Sequence, residues 1–124
     1  RRSRRTPWSR ALVAETRLHA SDLILPLFVH EAGAPFAIPT LPGVSRLSIE
    51  DCVNTAREAA GLGIPAVALF PVIEGKLKSE RGEEAWNPDG LTCRAIRAIK
   101  REAPEIGVIA DVALDPYTLH GHDG

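Results

Sequence analysis

Three apolar segments of strand length, spaced roughly forty residues apart, constrain the fold of this chain more than any other feature. They cover Leu23–Val29, Ile64–Val72 and Gly107–Leu114. Continuous apolar runs of this length are typical of strands buried on both faces, as in a parallel sheet. Parallel neighbours need a long crossover connection, usually a helix. The spacing therefore predicts an α/β protein that begins β-α-β-α-β.

Both intervals between the predicted strands carry helix signals. Ser48 can cap the first helix, and the acidic residues that follow it suit the positive end of the helix dipole. Pro104 ends the second helix. One apolar face is expected on each helix, from Cys52, Ala56 and Ala59 in the first and Leu91, Ala95, Ile96, Ile99 and Ala103 in the second. The polar stretch 74–89 is expected to be a loop above a strand end, either solvated surface or a lid.

Composition excludes several classes of function. The net charge is -1, so no overall positive field would recruit nucleic acid. No apolar run approaches the roughly 20 residues that span a membrane. The two cysteines have no Cys-x-x-Cys spacing, which favours a reducing compartment. We expect no nucleic-acid partner, no membrane partner and a cytoplasmic location, with a plastid as the alternative.

The N-terminus is rich in arginine, at positions 1, 2, 4, 5 and 10. With Trp8, Leu12 and Val13 it is expected to form a solvated arm, residues 1–20, that docks on a neighbouring subunit. A targeting segment or a site for an anionic ligand are the alternatives.

The densest polar chemistry lies at the C-terminal end, in Asp111–Gly124. Asp111 is expected inside the third strand, and Asp115 would point to the same side because strand side chains alternate. A carboxylate is costly to bury in an apolar strand unless it is paired or ligated, so these two residues predict a site. Asp123 lies in a glycine-flanked loop, where a structural role is equally expected.

His120 and His122 form a His-x-His pair like that of metal-dependent hydrolase barrels. The pair follows the third strand rather than the first, and Pro116 and Gly121 indicate loop geometry. Hydrogen-bonded loop histidines are the other interpretation.

Several segments together resemble the porphobilinogen synthase family, also called δ-aminolevulinic acid dehydratase. The most specific is the final DVALDPYTLHGHDG. The others are Glu15–Leu18 with Asp22–Val29, Pro42–Ser48, Gly63–Pro71 and Asn87–Gly90. The resemblance covers essentially the whole chain in order, as an N-terminal portion of the family's sequence.

This resemblance implies a fold and an activity. The family folds as a (β/α)8 barrel, of about 250 residues in general, with an arm that wraps a neighbouring subunit of a homo-octamer. Residues 1–20 would be that arm, and residues 21–124 the first part of the barrel, about three βα units. The family is a lyase that condenses two 5-aminolevulinate molecules to porphobilinogen with loss of two waters, in tetrapyrrole biosynthesis.

The resemblance also implies roles for individual residues. Asp111 matches an active-site aspartate near the substrate amine, and Phe70 an aromatic residue lining the pocket. Ala113, Asp115 and Asp123 stand where zinc-dependent members have cysteines. Carboxylates favour hard cations, so Asp115 and Asp123 are expected to hold Mg²⁺ or a monovalent cation, and catalytic zinc is not expected. The alternative is a cation that acts only at a distant allosteric site.

The family's two Schiff-base lysines have no match in this chain, because Lys76 and Lys78 fall in the polar loop and Lys100 in the second helix. The segment alone is therefore expected to be inactive. A hydrolase barrel using His120 and His122, and a non-catalytic oligomer-assembly segment, are the alternatives.

Overall fold

One mixed sheet of five strands organises the computed structural model, which describes residues 2–31 and 33–123. Arg1 of the arginine cluster and Gly124 of the final motif lie outside the described residues. Along the chain the strands are β1 (Ile24–His30), β2 (Phe36–Ala37), β3 (Ser45–Leu47), β4 (Ala66–Val72) and β5 (Gly107–Ala110). Their spatial order is β2-β3-β1-β4-β5, and β2 is the antiparallel member.

Three α-helices accompany the sheet: α1 (Pro7–Leu12), α2 (Ile49–Gly61) and α3 (Leu91–Glu102). The predicted cap of α2 is confirmed, since the Ser48 hydroxyl accepts a hydrogen bond from the Asp51 amide at 3.1 Å. Short 3-10 turns cover Arg2–Arg4, Ala20–Asp22, Gly75–Leu77 and Glu83–Trp86. None of the helices in the described residues is long and apolar enough to cross a membrane.

The two faces of the sheet differ in what covers them. α2 and α3 pack against each other and against β1 and β4, so both lie on one face. That face forms the core, from Leu27, Val29, Val67 and Leu69 with Cys52, Ala56, Ala95 and Ile99. On the other face Ile24 is 55% exposed and Ile109 is 45% exposed. Helices on one face and an apolar opposite face are what a part of a (β/α)8 barrel presents, because the opposite face lines the barrel interior.

The sequence predicted three strands, whereas the described residues form five. β2 and β3 were missed because they are only two and three residues long and lie in or beside a stretch rich in proline and glycine. Pro26, which argued against an interior strand, lies in β1 at the centre of the sheet. β1 tolerates it because β3 pairs only with Phe28 and Val29, so no ladder bond to β3 is lost at Pro26.

The prediction that Asp111 lies inside the third strand was wrong, because β5 ends at Ala110. Gly107 N donates to Pro65 O at 2.8 Å, so alternate residues of β4, beginning at Pro65, direct their backbone groups toward β5. The next such residue after Leu69 is Pro71, which has no amide hydrogen to donate. Asp111 therefore follows the strand end instead of lying in the ladder.

The N-terminal segment forms its own small unit. Thr6 caps α1 and exchanges hydrogen bonds with Ser9. The main contacts of α1 are with the turn Arg2–Arg4. Trp8 is 68% exposed and Leu12 is 76% exposed, so the apolar residues of the predicted arm are available for contact. The arm's boundary and its docking partner stay predictions.

Candidate functional site

A cavity of about 260 Å³ lies where β4 and β5 end. Phe70 reaches it from β4, Asp111 follows β5 directly, and Asp115 lies on the turn beyond. The cavity therefore brings together three residues that the sequence selected. It is at the carboxyl ends of parallel strands, where α/β barrels place their active sites. The full lining is Phe70, Pro71, Asp111, Ala113, Asp115, Pro116 and Tyr117.

The aromatic wall of the cavity is built by strand pairing. Phe70 lies opposite Phe28 in the register of β1 and β4, so both side chains leave the sheet on the face away from the helices. Their ring centroids are 5.6 Å apart. Phe28 was not among the predicted site residues, although its place in the apolar run of β1 marks it as a neighbour of Phe70.

Tyr117, which also lines the cavity, was missed as a site residue. Its ring is 7% exposed, and its hydroxyl lies 2.9 Å from the Thr92 hydroxyl at the start of α3. Burial raises the pKa of the Tyr117 phenol above its ordinary value of 10.0. The contact ties the turn that carries Asp115 to a helix of the core. The only sequence signal was an aromatic residue with a polar end close to two carboxylates.

The polar stretch 74–89 is bonded to the same segment. Ser79 N donates to Tyr117 O at 3.2 Å, and Leu119 N donates to Ser79 O at 3.0 Å. Gly82 has φ +66°, a conformation that favours glycine, and a Cβ atom there would lie in contact with Thr118 and Tyr117 at 3.4 Å. The loop and the cavity segment thus form one connected layer. The structure supports proximity to the site, and motion as a lid stays a prediction.

Asp123 occupies a different place from Asp115. Its Oδ1 atom accepts hydrogen bonds from the backbone amides of Leu114 and Asp115, the second at 2.9 Å. Asp123 is not among the residues that line the cavity. Within residues 2–31 and 33–123, no group of three or more His, Cys, Asp or Glu side chains could hold a metal ion. The carboxylates suit a hard cation by chemistry, but the described residues do not assemble a complete site, and the predicted cation stays a prediction.

The histidine pair does not converge on a metal site. The rings of His120 and His122 are nearly parallel, with centroids 6.0 Å apart and an interplanar angle of 17°. His120 Nδ1 accepts from His122 N at 3.3 Å, and His120 Nε2 lies 3.3 Å from Glu80 O. Both nitrogens of the His120 ring are therefore engaged within the loop layer, and the hydrolase alternative is not favoured.

The chain's three lysines lie outside the cavity lining. Lys76 pairs with Glu74 at 2.7 Å on the surface, and this partner raises the lysine's pKa. Lys100 Nζ donates to Pro104 O at 2.5 Å and to Ile106 O at 2.8 Å, at the carboxyl end of α3. Lys76 and Lys100 are thus held by partners outside the cavity, and the expectation that Lys76, Lys78 and Lys100 do not act as Schiff-base lysines stays a prediction.

Comparison with known proteins gives one consistent result. A profile of the family described as "Delta-aminolevulinic acid dehydratase" matches residues 1–124. The chain is 50% identical over 125 aligned positions to the dehydratase of Bradyrhizobium diazoefficiens, covering 100% of this chain and 35% of that protein. It is 44% identical to the chloroplastic dehydratase of Physcomitrium patens, of which it covers 29%.

A solved structure shares the fold as well. The Toxoplasma gondii ME49 dehydratase, also named porphobilinogen synthase, was crystallised in complex with the reaction product porphobilinogen. It superposes with a TM-score of 0.92 at 49% sequence identity, covering 100% of this chain and 35% of that chain. This chain thus spans about a third of the length of the relatives it matches.

Proposed function

The chain belongs to the delta-aminolevulinic acid dehydratase family, and we propose that it contributes the arm and first strands of a (β/α)8-barrel lyase. The reaction is the asymmetric condensation of two 5-aminolevulinate molecules to porphobilinogen, with loss of two waters. One observation carries the assignment to this site: Phe70, Asp111 and Asp115 line a single cavity at the ends of parallel strands.

We assign binding and orientation to these side chains. The Asp111 carboxylate offers an anionic acceptor to the ammonium group of 5-aminolevulinate, and such charge-assisted hydrogen bonds are stronger than neutral ones. Phe70, packed on Phe28, supplies an apolar wall that keeps water from the carbon chain of the substrate. Positioning of this kind lowers the entropic part of the barrier to joining two molecules. The covalent steps need the family's two lysines, which Lys76, Lys78 and Lys100 do not provide.

We propose that any cation at this site is Mg²⁺ or a monovalent ion. The donor set supports this, because the cavity offers the carboxylates of Asp111 and Asp115 and no cysteine. When bound, such an ion would offset negative charge near the substrate. Asp115 is the residue that we assign to it.

We further propose that the arm docks on a second copy of the chain, in a homo-oligomer that is an octamer in this family. Its support is the exposure of Trp8, Leu12 and Val13, at 68%, 76% and 56%. The cytoplasm is the proposed location, with a plastid as the alternative that the names of the plant relatives suggest.

The experiment joins this chain to the rest of a working enzyme. The 124 residues replace the matching part of the Bradyrhizobium dehydratase, and porphobilinogen formation from 5-aminolevulinate is measured with and without Mg²⁺. We expect an active chimera, and we expect Asp111→Asn to lower kcat/KM at least about tenfold, the cost of losing roughly 1.4 kcal/mol of charge-assisted binding. A folded chimera without activity, or an Asp111→Asn variant as active as its parent, would contradict the proposal. The separate 124-residue chain is expected to form no porphobilinogen.

A further inference from the structure

The segment 114–123 closes on itself, and Asp123 makes two of the bonds that close it. Its Oδ1 atom accepts the backbone amide hydrogens of Leu114 and Asp115. Gly121, with φ +70°, supplies the left-handed turn just before the chain returns to Leu114. Asp115 lines the cavity and Asp123 does not. Asp123 therefore holds the backbone beneath a cavity residue while lying outside the cavity itself.

A second tie comes from inside the loop. Thr118 is 2% exposed, and its hydroxyl donates to His122 O at 3.0 Å. Tyr117 N and Thr118 N both donate to Leu114 O, at 2.8 Å and 3.1 Å. The backbone of Leu114 is thus held at its carbonyl by the turn and at its amide by Asp123. These hydrogen bonds restrain the backbone next to Asp115.

We propose that Asp123 is a positioning residue that fixes the backbone of Asp115 and does not ligate a cation. This departs from the expectation that Asp115 and Asp123 bind the cation together. A single oxygen atom of Asp123 accepts both hydrogen bonds, and the side-chain carbonyl oxygen of asparagine could accept them as well. A carboxylate that ligates a cation would lose its charge in the asparagine variant, and the affinity for the cation would fall because it depends on the ligands' charge. The catalytic consequence rests on the proposed function, whereas the structural role does not.

The structural role is tested by hydrogen exchange on the 124-residue chain, with the amides of Leu114 and Asp115 followed individually by NMR. Asp123→Ala removes the acceptor, so protection of both amides should fall about tenfold. Asp123→Asn keeps the acceptor and should change protection less than about threefold. Amides of α2, such as those of Ala56 and Ala59, report that the fold is intact. Unchanged protection in Asp123→Ala would overturn the proposal.

The catalytic role is tested in the chimera, with Asp115→Asn as the matched variant. Asp123→Asn should keep kcat/KM within about threefold, Asp123→Ala should lose about tenfold, and Asp115→Asn should lose activity while its amides stay protected. If Asp123→Asn behaves like Asp115→Asn, the charge of Asp123 is what matters, and the positioning role is wrong. A chimera that is inactive before mutation refutes the proposed function, and hydrogen exchange alone then decides the role of Asp123.

Discussion

The buried thiol of Cys52 should make the stability of this fold depend on alkaline pH. Cys52 lies in the first turns of α2 with 0% exposure, against the strands of the core. Burial, with a smaller contribution from the neighbouring Asp51 carboxylate, raises the pKa of the thiol from 9.0 to about 12. The thiolate is disfavoured in the apolar core because it loses its hydration there.

The direction and size of the effect follow from linkage. Above pH 9 the unfolded chain releases the Cys52 proton while the folded chain keeps it, so the folded state binds more protons and stability falls as pH rises. The decrease in stability begins near pH 9 and stops near pH 12, where the thiol of the folded chain also ionises. Between pH 7 and pH 10 this one group should lower the free energy of unfolding by about 1.4 kcal/mol.

Urea unfolding at pH 7, 9 and 10 measures this dependence in the parent chain, Cys52→Ala and Cys93→Ala. The deleted atom of Cys52 costs stability at every pH, so the informative quantity is the change with pH and not the absolute value. Between pH 7 and pH 10, the free energy of unfolding of Cys52→Ala should fall by about 1.4 kcal/mol less than that of the parent chain. Cys93→Ala, at a half-buried position of α3, is the matched control for the loss of a thiol. Equal alkaline slopes in the parent and Cys52→Ala would show that the thiol is not held protonated by burial.

Three further perturbations test other parts of the structure. Tyr117→Phe should lower the free energy of unfolding by about 1 kcal/mol, because the hydrogen bond between Tyr117 and Thr92 is lost. A double-mutant cycle with Thr92→Val should show coupling between the two positions, and additive effects would contradict the hydrogen bond's contribution. Phe70→Ala in the chimera should lower kcat/KM about tenfold by removing the apolar wall, and an unchanged value would place the substrate elsewhere. Lys100→Met should lower the free energy of unfolding in urea by about 1 kcal/mol and leave kcat of the chimera within about twofold. Loss of kcat without loss of stability would mark Lys100 as a reactive amine.

The main elements of the fold were predictable because their signals are local. β1 and β4 are uninterrupted apolar runs, and α2 has a capping serine and an apolar face. β2 and β3 gave no such signal, since two or three residues are too few to show a period. The end of β5 depends on Pro71 in another strand, so only the pairing register reveals it.

The site shows the same division. Asp111 and Asp115 were selected from their residue type and strand-end positions, and Phe70 was selected from the family resemblance. The three residues do share a cavity. The role of Asp123 could not be read from the sequence, because hydrogen bonds to Leu114 and Asp115 across a turn of eight or nine residues leave no pattern. The hydrogen bond between Tyr117 and Thr92 joins residues 25 positions apart, so it also could not be predicted from the sequence.

A crystal structure of the chimera with porphobilinogen bound would test the proposed site most directly. We predict that the product's amino group lies within hydrogen-bonding distance, about 3 Å, of the Asp111 carboxylate, with the product packed against the Phe70 ring. Porphobilinogen bound away from the cavity formed by Phe70, Asp111 and Asp115 would contradict the assignment.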